Sequence, residues 1–127
     1  LGHKRAIALT LAGWLATVVL AAASHSPATF WLAAQLAGLC LGSSQSAGRA
    51  LVGYLSPRER QGEFFGLWGV SVKLSSILGP ITYGIIVALT GGDHRLAFLV
   101  TGLYFLAGLV LLAGVNVARG RAAALGQ

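Results

Sequence analysis

Four long apolar runs separated by short polar loops constrain this chain more than any other feature of it. The first, Ala6 to Ala23, carries no charge and, at a rise of about 1.5 Å per residue, is just long enough to cross ~30 Å of hydrocarbon. The others cover about 27–55, 63–89 and 96–117. Inside a bilayer the backbone has no water to bond to, so a helix that satisfies its own N–H and C=O groups is the expected form of each run. The fold class that follows is all-α: a polytopic membrane protein with four transmembrane helices and a polar tail at 118–127.

Composition excludes the other broad classes. Of 127 residues 56% are hydrophobic and 9% charged, against about a quarter charged in a soluble domain. The formal charge of +6 comes from small clusters between the apolar runs. They form no basic, aromatic-interleaved stripe, so nucleic acid is not an expected partner. The lipid bilayer is. The chain has no methionine and opens on basic residues, so it is read as a piece of a longer polypeptide. Cys40, the single cysteine, lies in an apolar run and reads as a small packed hydrophobe.

Local signals set the helix ends. Ser26 is placed as an N-cap with Pro27 at the first helical position, and Asp93 is suited to cap the fourth span. Ser56-Pro57-Arg58-Glu59 has the form of a capping box, which predicts a short surface helix ended by Gly62. Thr90-Gly91-Gly92 closes the third span. Within that span Pro80, after Gly79, removes a backbone bond to Ser76 and predicts a kink or a local break. Gly38 and Gly42 form a Gly-x-x-x-Gly pair that lets another helix approach, and Gly102, Gly108 and Gly114 read as packing positions on the fourth span.

Loop cations set the orientation. Lys4, Arg5, Arg58, Arg60, Arg119 and Arg121 fall on one side, and Arg95 on the other. By the positive-inside rule both termini and the central linker are cytoplasmic. His3, His25 and His94 each lie in or beside a loop on different sides, so neither a shared metal site nor a cofactor is expected.

Polar residues interrupt spans two and three. Gln45 and Lys73 each lie about ten residues from the cytoplasmic end of their helix, hence ~15 Å deep and near the midplane. Gln45 and Arg49 share a face with Gly42; Gly66, Gly69, Lys73, Ser76 and Pro80 follow helical spacing on span three. A midplane ammonium needs water, a carboxylate or a substrate, and these spans hold no buried carboxylate. Arg49 can instead snorkel to the headgroups, and Glu63 complements the positive end of its helix or pairs with a loop arginine. Serine–histidine–acid triads, paired catalytic carboxylates and phosphate loops are absent, so no enzyme activity is expected.

The combination Gln45-x-x-x-Arg49, Pro57, Glu63-Phe64-Phe65-Gly66, Val70-Ser71-x-Lys73 and Ile77-Leu78-Gly79-Pro80 resembles the vacuole-effluxer-like branch of the major facilitator superfamily, which includes autophagy-related vacuolar amino-acid effluxers. The resemblance implies that the four spans belong to the carboxy-terminal bundle of a twelve-helix transporter whose amino-terminal half lies outside this chain. It implies a secondary active transporter that moves a small polar solute, with amino-acid efflux as the leading expectation, in a bacterial inner membrane. Gln45, Lys73 and Ser76 would then face the translocation path, Arg49 and Glu63 would act in gating, and Gly38, Gly42, Gly79 and Pro80 would shape and pack helices. The alternative from another class is a small membrane scaffold or assembly subunit in which the glycine faces only pack helices.

Overall fold

The computed structural model describes residues 2–126 and contains five α-helices among them: α1 His3–Ala22, α2 Pro27–Leu55, α3 Gln61–Leu89, α4 His94–Gly114 and α5 Val117–Ala124. A 3-10 turn, Arg58–Arg60, joins α2 to α3. By length and composition three segments can cross a membrane: α1, α3 with the turn before it, and α4. Helix α2 is long at 29 residues, but its small, polar second half, Gly42 to Arg49, dilutes its apolar character. It is held in the bundle by packing rather than by hydropathy alone.

Several helix ends form as the local chemistry dictates. The Ser26 hydroxyl accepts from Thr29 N at 3.3 Å, with Pro27 opening α2. Asp93 Oδ1 accepts from Leu96 N at 3.0 Å and starts α4. At the end of α3, Gly91 and Gly92 take φ of +68° and +106°, and Gly92 N reaches back to Val87 O at 2.9 Å. That is the helix-closing geometry a residue with a Cβ adopts poorly.

Other local expectations are corrected. Ser56 caps no helix that follows it: its hydroxyl donates back to Val52 O at the end of α2, and the 3-10 turn at Arg58–Arg60 has Pro57 at its N-cap position and no side-chain cap. A serine hydroxyl can bond back along the helix it ends as well as forward, and here the backward bond wins. Gly62 does not end the linker; it lies in the first turn of α3. Helix α3 runs unbroken through Pro80, so the local break does not occur. Helix α4 stops at Gly114, before the expected 117, and the tail opens with α5, capped by Asn116 Oδ1 accepting from Arg119 N at 3.0 Å.

Helix α1 is the centre of the packing, with α2 on one side and α4 on the other; α3 packs on α4 and, less closely, on α2. The core is accordingly small: Val18, Ala21, Ala33, Cys40 and Ala97 are its buried apolar residues. Small residues let the backbones close in. A Cβ on Gly13 would stand 2.6 Å from Cys40 Sγ, and one on Gly102 would stand 3.0 Å from Val18 Cγ1. Gly108 packs on Leu11, whereas nothing lies within 4 Å of the corresponding point on Gly114. Trp14 stacks on Phe105 across the α1–α4 seam at 5.1 Å, nearly parallel.

Candidate functional site

On α2 the residues that meet α1 include Leu36, Cys40, Ser43 and Ala47, which line the groove between the two helices. At about 100° per residue, Arg49 stands ~180° around the helix from Cys40, and Gly38, Gly42 and Gln45 stand within ~40° of that direction. The whole candidate face of α2 is therefore turned away from α1. Nothing lies within 4 Å of a Cβ placed on Gly38 or Gly42, so within the described residues this Gly-x-x-x-Gly pair receives no helix.

The same holds on α3. Ser75, Leu78 and Gly79 line a cleft of about 440 Å³ shared with Thr101, Tyr104 and Phe105 of α4. Thr82 shares a hydrogen bond of 2.8 Å with the Tyr104 hydroxyl. Lys73 is nine positions from Thr82 and hence ~180° around α3 from it. Lys73, Ser76 and Pro80 are exposed. Gly79 belongs instead to the α4 side, and a Cβ there meets nothing within 4 Å.

Gln45 and Lys73 are not joined by a hydrogen bond. Helices α2 and α3 run back from the tight turn, so positions equally far from it meet. The Arg49 guanidinium lies 5.3 Å from the centre of the Trp68 ring, and a Cβ on Gly53 would lie 3.6 Å from Phe65. Phe65, Trp68 and Val72 follow the helical spacing of that seam, and Lys73 stands one position, about 100°, off it. Ser76 does reach Lys73, but through the backbone: its hydroxyl donates to Lys73 O at 2.7 Å. The ammonium of Lys73 has no hydrogen-bond or ionic partner among the described residues, where the salt bridge present is Arg60–Glu63 at 2.6 Å.

Arg49 and Glu63 are each occupied, and not by one another. Arg49 holds α2 to α3 through Trp68; Glu63 takes both Nε and Nη2 of Arg60, at 3.0 and 2.6 Å. Trp68 was not among the residues singled out from the sequence, yet counting outward from the turn at Arg58–Arg60 pairs it with Arg49. Tyr54 was missed as well. Its ring stacks on His3 at 4.7 Å and lies under Arg121, with the guanidinium 4.5 Å from the ring centre. That contact depends on α5, which short-range sequence signals did not disclose.

The chain was compared with known proteins. A family model described as "Vacuole effluxer Atg22 like" matches residues 5–125. An uncharacterized MFS-type transporter, YxiO of Bacillus subtilis, is 33% identical over 86 residues, covering 68% of this chain and 20% of that protein. Autophagy-related protein 22 of Kluyveromyces lactis is 37% identical over 84 residues, covering 66% of this chain and 17% of that protein. Autophagy-related protein 22-2 of Sclerotinia sclerotiorum is 39% identical over 89 residues, covering 66% of this chain and 12% of that protein. No solved structure matches. The chain thus spans a fifth or less of the length of these relatives. Its all-helical fold, its membrane-crossing helices and the match across nearly its whole length lead to one assignment: this chain is an integral membrane segment that belongs to the Atg22-like vacuole effluxer family.

Proposed function

We propose that the chain forms the last four membrane helices of a secondary active transporter that exports a small polar solute, an amino acid being the leading candidate, by alternating access. The observation that carries this reading is Lys73. A charged side chain at bilayer depth costs about 2.5–3.5 kcal/mol on insertion scales, and this one has no acceptor within the described residues. It is also exposed, ~180° around α3 from Thr82, which meets α4. A partner from the rest of the protein, water in a translocation path, or the carboxylate of a solute is therefore required, and in transporters such sites lie near the midplane between two rocking halves.

In this reading Gln45 and Ser76 border the same path, and Gly38 and Gly42 receive a helix from elsewhere in the parent protein. Arg49, fixed on Trp68, and Glu63, paired with Arg60, act at the loop end of α2 and α3, where opening and closing these contacts gates access. Both termini and the Pro57–Gly62 linker face the cytoplasm, and the membrane is a bacterial inner membrane. The test is counterflow of radiolabelled amino acids in proteoliposomes that hold the full-length protein. Exchange above that of empty vesicles supports the transporter; none with any amino acid, in protein shown to be folded, favours a scaffold.

A further inference from the structure

Seven loop cations are spread over the two ends of the bundle, and at the crowded end their uses differ. Lys4 Nζ donates to Ala113 O and Val115 O, at 2.9 and 2.7 Å, and so satisfies carbonyls left open where α4 stops. Arg121 donates to Tyr54 O at 2.6 Å while its guanidinium covers the Tyr54 ring. Arg60 is taken by Glu63. Arg58 has no hydrogen-bond or ionic partner among the described residues, although it stands beside a cleft.

That cleft, about 270 Å³, is walled mainly by polar atoms and closed by α5, which folds back so that Gly120 meets Leu55 and Arg121 meets Tyr54. Ser56, Arg58, Gln61 and Arg121 line it, with Tyr54 and Leu125 at its side. The Ser56 hydroxyl is spent on Val52 O, which leaves the Arg58 fork, the remaining N–H groups of Arg121 and the Gln61 amide as donors. Among the described residues no side-chain carboxylate lines the cleft; Glu59 is exposed on the turn and Glu63 is held by Arg60. Two guanidiniums and an amide around a small cleft form a receptor for a tetrahedral oxyanion, since arginine forks match phosphate oxygens two at a time.

We propose that this cleft binds the phosphate of an anionic phospholipid, gripped by Arg58 and Arg121, and that the bound lipid pins α5 against the end of α2. A lipid rather than a free phosphate is the occupant because of where the cleft lies. It opens at the loop end of two long apolar helices, next to Leu125. It is also bounded by α5, a short helix that carries Arg119 and Arg121 and no acidic residue, a charge that suits an anionic headgroup layer. Tyr54 is the penultimate residue of α2, and aromatic rings gather at the ends of membrane helices.

The test uses the full-length protein, delipidated in neutral detergent and then given phosphatidylglycerol or phosphatidylcholine, with bound lipid read by native mass spectrometry. Phosphatidylglycerol is expected to be retained over phosphatidylcholine, and Arg58→Gln to weaken its retention about tenfold, the worth of one charge-assisted bond. The Arg58 side chain makes no hydrogen bond or ion pair among the described residues, so the lipid-free melting midpoint of this variant should match the parent. Arg95→Gln, at the other end of the bundle, should leave retention unchanged. A phosphatidylglycerol with a photoreactive headgroup should label 53–61 and 121–125. Equal retention of the two lipids, unaltered retention in Arg58→Gln, or labelling confined to other segments overturns the proposal. Displacement of the lipid by inorganic phosphate at matched concentration overturns the lipid source and assigns the cleft to a soluble phosphate.

Discussion

The guanidinium of Arg49 lies 5.3 Å from the centre of the Trp68 ring, and this contact ties α2 to α3 close to their connecting turn. It gives Arg49 a partner that needs neither a carboxylate nor the headgroup layer, because the face of an indole carries the negative lobe of its quadrupole. A double-mutant cycle on the full-length protein, with Arg49→Ala, Trp68→Leu and both, should return a coupling of about 0.5–2 kcal/mol in unfolding free energy. Strictly additive single-variant effects would show that the two side chains are neighbours without interaction.

The α1–α4 seam predicts a second outcome. Gly102 is buried, and a Cβ there would stand 3.0 Å from Val18 Cγ1. Valine in a helix is locked at χ1 and cannot swing aside. Gly102→Ala should therefore destabilise the protein by about 1–3 kcal/mol through overpacking, and adding Val18→Ala should recover part of that loss. A melting midpoint for Gly102→Ala equal to the parent's contradicts the seam.

Topology gives a third prediction. Cysteines introduced one at a time at His25 and His94 should react with an impermeant maleimide added outside intact cells, and one at Arg58 should react only after permeabilisation. Lys4, Arg5, Arg58, Arg60, Arg119 and Arg121 share one end and Arg95 stands alone at the other, and loop cations collect on the cytoplasmic side. The opposite labelling pattern contradicts the proposed orientation.

The helices themselves were legible in the sequence because long apolar runs leave a chain in lipid little choice of form, and those of α2 and α4 open on a side-chain cap. Ser26, Pro27, Asp93 and the Gly91-Gly92 closure all act through neighbours within five residues, which a sequence displays. What was not legible depends on contacts far along the chain. Ser56 has two backbone groups in reach, and only the finished geometry decides that Val52 O is its partner. Helix α5 has eight residues, too few to hold alone, and exists through Asn116, Leu55 and Tyr54. The glycines show the same division: all eighteen look alike in the sequence, yet Gly13 and Gly102 face a helix of this chain while Gly38 and Gly42 face open space. Of the candidate site, the shared depth of Gln45 and Lys73 could be read from helix length. That no hydrogen bond joins them among the described residues fits the turn, which sets Trp68 beside Arg49 of α2 and leaves Lys73 about 140° around α3 from Trp68.

The most direct test of the account is transport by Lys73→Ala in the full-length protein, reconstituted beside the parent and measured by amino-acid counterflow at equal folded amounts. Lys73 carries a charge within a helix long and apolar enough to cross a membrane, is exposed, and has no hydrogen-bond or ionic partner among the described residues. The account predicts that Lys73→Ala inserts and folds at least as well as the parent while counterflow falls to the level of empty vesicles. Lys73→Arg should be impaired as well, because a planar fork does not replace a compact ammonium. Counterflow equal to the parent in a well-folded Lys73→Ala protein would contradict the central claim that this lysine serves the translocation path.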